Sequence, residues 1–154
     1  MLYTRKGDKG TTKTLRGDER IPKNSSLTEA LGTVDELNSF LGLCKVKVGN
    51  SVVTEDKILI SKIIEDVQQN LFTIQAELAG ADKRLTEEKT KDIEVIIDSI
   101  ESILPKITSF LISGGSETSA LFDIARTITR RAERKITAVE VSEPTLGYIN
   151  RLSS

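Results

Sequence analysis

Every long segment of this chain repeats its apolar residues three or four positions apart, and the first three repeats each close on a glycine or a proline. That pattern leaves little besides amphipathic helices, each packed along one face. The first begins at Ser26, which forms a capping-box pattern with Glu29. It runs through Leu27, Ala30, Leu31, Val34, Leu37 and Leu41 to a stop at Gly49-Asn50. A second is predicted to open near Thr54, with Glu55 and Asp56 meeting the positive end of the helix dipole, and to carry apolar positions from Ile58 to Leu78 before Gly80. It is expected to be the longest. A third starts near Thr86 and carries Ile93, Ile96, Ile97, Ile100 and Ile103 until Pro105 interrupts it. After a loop holding Gly114-Gly115, Ser116 caps a fourth whose stripe is Leu121, Ile124, Ala125, Ile128, Ala132, Ile136 and Val139. Pro144 opens a short fifth through Leu152. Isoleucine favours strands, but the spacing here is helical and the segments are too long. The expected fold is all-α: a five-helix up-and-down bundle over 25–154, preceded by an ordered arm over 1–24 that lacks helical period.

At 154 residues the chain fits one domain, 1–154, with no linker or internal repeat. The single cysteine, Cys44, excludes an internal disulfide, and the absence of histidine excludes both a Cys/His zinc site and any histidine-based triad. Cys44 therefore reads as a small core residue, and a reducing cytoplasm is the expected location. No uncharged apolar run approaches the length of a membrane span, so no membrane association is expected.

Charge is distributed unevenly. Residues 1–24 carry Arg5, Lys6, Lys9, Lys13, Arg16, Arg20 and Lys23 against Asp8, Asp18 and Glu19, a balance of +4. The stretch RTITRRAERK, Arg126 to Lys135, holds five cations against Glu133, again +4, in a chain whose total is −1. Such islands on an acidic background suit a small polyanion, whereas a general nucleic-acid binder would spread positive charge over a whole face.

Each island also has a plainer reading. On a helix, Arg126, Arg130 and Glu133 fall within about 60° of one another, with the apolar stripe roughly 130° away. They could form a solvated face laced by ion pairs, or a prepared anion site. Arginine dominates, and its rigid fork suits phosphate oxygens. In TRKGDKGTTK, Gly7 and Gly10 allow backbone N–H groups to converge on an anion, although the same residues make an ordinary turn and the spacing is not that of a P-loop. Asp35 and Asn38 share a helical face and would be unremarkable surface polars unless a carboxylate there orients an arginine from another helix. Phe110, just before the glycine loop, reads by default as buried packing.

Five motifs, in order, carry a specific resemblance: YTRKGDKGTT, EALGTVDELNSFLG, FLISGGS, ARTITRRAERK and YINRLS. From about Tyr3 to Ser153 the chain resembles the PduO-type ATP:cob(I)alamin adenosyltransferases. The resemblance implies a homotrimer of five-helix bundles with ATP and cobalamin bound between subunits, giving adenosylcobalamin and triphosphate. It also implies that reduced cobalt is itself the nucleophile toward the ribose 5′ carbon, so the protein needs none. By the same resemblance, Thr4, Arg5, Lys6, Gly7, Thr12, Lys13 and Lys23 bind ATP, together with Arg130, Arg131, Ala132, Glu133, Arg134 and Asn150. Arg130, Arg126, Asp35 and Glu133 would have catalytic roles, with Asp35 and Arg126 paired across the subunit interface. Phe110 would fill the space below the corrin, where a lower ligand would otherwise bind cobalt. Magnesium would bridge phosphate oxygens without protein ligands of its own, and a cobalamin reductase is the implied partner. Family members usually extend the last helix beyond the point where this chain ends, so a shortened fifth helix is expected. The alternative from another class is a non-catalytic helical bundle that binds ATP or polyphosphate as a regulatory module.

Overall fold

The computed structural model describes residues 3–15, 17–53, 58–106 and 108–154. Its helices are α1 (Ser26–Val48), α2 (Ile60–Ala79), α3 (Glu87–Ile103), α4 (Glu117–Ile136) and α5 (Glu143–Leu152). Among the described residues one small antiparallel pair, β1 (Thr11–Lys13) with β2 (Arg20–Pro22), precedes α1, and another, β3 (Val52–Val53) with β4 (Ile58–Leu59), lies between α1 and α2.

Most helix ends follow local chemistry. Gly49 ends α1, Gly80 ends α2 in the left-handed conformation at φ 96°, and α3 stops at Ile103, two residues before Pro105. Ser116 caps α4 reciprocally with Ser119, and Pro144 occupies the first turn of α5.

Two starts differ from expectation. The cap of α1 is Ser25, whose hydroxyl accepts from the Thr28 amide, so Thr28 and not Glu29 takes the third helical position. Glu29 reaches across to Lys135 at 3.3 Å instead. The helix expected near Thr54 begins at Ile60, because Ile58–Leu59 pair with Val52–Val53 and the Ile60 amide donates to the Ser51 carbonyl at 3.0 Å. Thr54, Glu55 and Asp56 lie outside the described residues. With that onset α2 has 20 residues, and α1, with 23, is the longest helix.

Cross-helix contacts set the directions. Lys47–Glu117, Glu36–Arg131 and Glu29–Lys135 run in antiparallel order between α1 and α4. Gln68 to the Asn38 carbonyl and Gln75 to Asp35 do the same between α2 and α1. The bundle alternates up and down around a core that includes Val34, Leu37, Leu71, Ile74, Leu78, Ala132, Ile136 and Ile149. Fully burying each large aliphatic side chain contributes about 1.5–3 kcal/mol. The stripe on α4 departs from expectation at Ile124, which is half exposed, while Thr129 is buried with its hydroxyl satisfied by the Ala125 carbonyl at 2.8 Å.

One carboxylate lies inside this core. Glu77 of α2, 4% exposed, accepts from the Ser142 amide at 2.6 Å, from the Ser142 hydroxyl at 3.2 Å and from Thr145 Oγ1 at 2.6 Å. It satisfies donors at the N-terminus of α5 that the short helix cannot satisfy itself. Among the described residues no helix is long and apolar enough to cross a membrane.

Candidate functional site

The arm is a hairpin fastened by one arginine. Thr11 pairs with Pro22, Thr12 with Ile21 and Lys13 with Arg20. The Arg20 guanidinium donates to Thr11 Oγ1 at 2.9 Å, to the Thr11 carbonyl at 2.8 Å and to the Lys6 carbonyl at 2.6 Å, which folds the Lys6–Thr11 turn over the strands. Gly10 adopts φ 75°, a conformation that costs glycine nothing. A Cβ on Gly7 would approach Lys23 Nζ to 3.0 Å, so the bare backbone lets that ammonium lie across the turn. Arg5, at φ 57°, places its guanidinium 5.4 Å from the Tyr3 ring centre. Lys13 pairs with Asp18. The ammonium groups of Lys6, Lys9 and Lys23 form no ion pair among the described residues.

The arm is docked on one end of the bundle. The Leu15 amide donates to the Ala79 carbonyl at 2.9 Å, and Thr28 Oγ1 donates to the Lys23 carbonyl at 2.8 Å. Since Glu29 meets Lys135, this is also the end that carries the second half of α4.

On α4 the cations divide by partner. Arg131 pairs with Glu36 and Lys135 with Glu29, which ties α4 to α1. Arg134 donates to the Arg130 carbonyl at 2.9 Å. Arg126 lies 4.0 Å from Asp123. The Arg130 guanidinium, exposed, has no partner among the described residues, so its donors are available to an anion. Glu133 accepts from Asn150 Nδ2 at 2.7 Å, which joins the RRAER segment to α5.

The remaining residues named from sequence lie elsewhere. Asp35 accepts from Gln75 at 3.2 Å and does not meet Arg126 within one chain. Phe110 is fully exposed, with Leu111 at 77% and Ile112 at 98%, which corrects its default reading as buried packing. The loop precedes α4, whereas Arg130 lies in that helix's second half, so roughly 20 Å of helix separates them. A single chain thus sets the arm at the end of the bundle where the RRAER segment lies, joins Asn150 to that segment through Glu133, and leaves Phe110 beyond the opposite end of α4. Burial pushes the Cys44 thiol above its ordinary value, which disfavours the thiolate and suits a core residue.

The cobalamin adenosyltransferase family model matches residues 2–154. The chain belongs to that family. Among cobalamin adenosyltransferases, it is 41% identical over 160 residues to the corrinoid adenosyltransferase of Bacillus subtilis, covering 99% of this chain and 80% of that protein. It is 35% identical to the corrinoid adenosyltransferase PduO of Citrobacter freundii, where it spans 99% of this chain and 46% of the relative. A solved variant of the PduO-type ATP:corrinoid adenosyltransferase from Lactobacillus reuteri, complexed with cobalamin and ATP, superposes with a TM-score of 0.86 at 33% identity. That match covers 99% of this chain and 85% of the solved one.

Three parts of this cobalamin adenosyltransferase were not singled out from sequence: Arg20 as the fastener of the arm, Glu36 as the partner of Arg131, and Arg151 beside Asn150. Arg20 and Arg151 stood in view, in the cationic arm and in YINRLS. Their tasks depend on contacts with Lys6, Thr11 and Glu94 that no local spacing reveals.

Proposed function

We propose that this protein transfers the 5′-deoxyadenosyl group of ATP to the cobalt of cob(I)alamin, giving adenosylcobalamin and triphosphate. The family match over residues 2–154 carries the reading. The whole chain acts as one adenosyltransferase domain, with 1–24 as its nucleotide-binding arm.

Reduced cobalt supplies the nucleophile as substrate, so the protein's work is to bind, orient and neutralise. Thr4, Arg5, Lys6, Gly7, Thr12, Lys13 and Lys23 hold the nucleotide from the arm, with Arg130, Arg131, Ala132, Glu133, Arg134 and Asn150 opposite. Arg130 meets charge developing on the leaving triphosphate, and its lack of a side-chain partner among the described residues supports that role. Phe110 excludes a lower ligand from cobalt, and its full exposure supports contact with something outside its own chain. Among the described residues no three acidic or thiol groups converge to hold a cation, so magnesium would be carried by the phosphate oxygens.

The distance between Phe110 and the arm supports a site completed by a neighbouring chain. We therefore place these bundles in a homotrimer, with Asp35 of one subunit meeting Arg126 of the next. A reductase delivering reduced corrinoid and a cytoplasmic location complete the proposal. The test is incubation with ATP, magnesium and chemically reduced cobalamin, following the adenosylcobalamin spectrum and triphosphate release. ATP binding without corrinoid dependence and without triphosphate would instead identify a regulatory nucleotide-binding module.

A further inference from the structure

The Asn150 amide is gripped from both sides. Its Nδ2 donates to Glu133 Oε1 at 2.7 Å, and its Oδ1 accepts from Arg151 Nη1 at 3.0 Å. A carboxylate only accepts and a guanidinium only donates, so one of the two amide orientations satisfies both neighbours and the other satisfies neither. Turning the amide over would set NH2 against guanidinium and oxygen against carboxylate. Arg151 is fixed in turn, because its Nε donates to Glu94 Oε1 at 2.6 Å. Glu94, Arg151, Asn150 and Glu133 form a continuous chain from α3 through α5 to α4.

We propose that Arg151, braced by Glu94, is a positioning residue for nucleotide binding that locks the Asn150 amide in a single orientation. The proposal rests on the reading of Asn150 as a nucleotide contact. Glu133 uses one Nδ2 hydrogen, and the second is held in a fixed direction for an acceptor on ATP. Lysine cannot replace Arg151, since one ammonium lacks the planar fork whose separate edges reach Glu94 and Asn150. The Arg151 and Glu94 side chains are 45% and 39% exposed, so their pair adds little to folding. Its effect falls on orientation.

The experiment is steady-state adenosylation with ATP, magnesium and chemically reduced cobalamin, varying each substrate in turn, alongside thermal melts. Arg151→Lys should raise the KM for ATP roughly fivefold, the equivalent of one lost neutral hydrogen bond. The KM for cob(I)alamin and the melting temperature should stay unchanged. Glu94→Ala should raise the KM for ATP, and Glu94→Gln, which keeps an acceptor for Nε, should restore part of the loss. A higher ATP KM in Asn150→Ala with none in Arg151→Lys overturns the positioning role and leaves the Asn150 contact standing. No rise in either variant removes the contact and the proposal together. If Arg151→Lys lowers the melting temperature and raises both KM values in parallel, Arg151 is only a structural tie and the proposal fails.

Discussion

What distinguishes the arginines of α4 is the company each keeps. Arg131 faces Glu36, with the two side chains 44% and 52% exposed, whereas Arg130 has no partner among the described residues. Arg130→Ala should therefore lower turnover at least tenfold, about 1.4 kcal/mol of transition-state stabilisation. Arg131→Ala should lose less turnover and less than ~1 kcal/mol of stability, because exposed pairs contribute little. Turnover at saturating substrates and urea melts separate the two effects. Unchanged turnover in Arg130→Ala would remove its assignment. Tyr148 illustrates a different residue-scale effect. It is 1% exposed, and burial pushes its phenol up to about 12 despite the hydrogen bond from Asn70. A raised folded-state pKa stabilises the fold below the unfolded value near 10, and that stability is lost as pH climbs through 12. Between pH 10 and 12 the wild type should lose about 2 kcal/mol through this group, a loss that melts of Tyr148→Phe would lack.

At the scale of elements, what could be read from sequence was what the chain decides locally. Gly49, Gly80 and Pro105 ended their helices because backbone freedom, or its absence, acts within one turn. The start of α2 was misread for the converse reason. Ile58 and Leu59 fit a helical stripe and a strand equally well, and pairing with Val52–Val53 decides between them. The arm was legible as ordered and cationic, but its hairpin depends on Arg20 bridging to Lys6 and Thr11. The proposed site was legible to the same depth: motif order pointed to its candidate residues, whereas Glu36, Glu94 and Glu77 are partners supplied by other helices. Glu77 yields the prediction at this scale. Glutamine offers one acceptor oxygen where the carboxylate accepts three hydrogen bonds, and it turns an NH2 toward donors. Glu77→Gln should cost about 1–3 kcal/mol. Hydrogen exchange should rise first in α5, with α1 and α4 still protected. Uniform loss of protection would mean that Glu77 supports the whole core equally.

The arm and the Phe110 loop lie toward opposite ends of one bundle, a separation that the proposed site shared between subunits would resolve. If Asp35 meets Arg126 of a neighbour, Asp35→Asn should reduce activity while leaving helicity intact, since asparagine can still accept from Gln75. Reversing both charges should recover part of the loss, and a double-mutant cycle measures the coupling. A fully active monomer would refute the arrangement. The loop before α4 also gives the molecule a thermal signature. Phe110, Leu111 and Ile112 are held in water in the free chain, where apolar hydration carries excess heat capacity. If a corrin covers them as proposed, that water is released and the binding enthalpy should become steadily more negative as temperature rises. Calorimetric titration with corrinoid at several temperatures measures that slope, and Phe110→Ala should flatten it in proportion to the ring it removes.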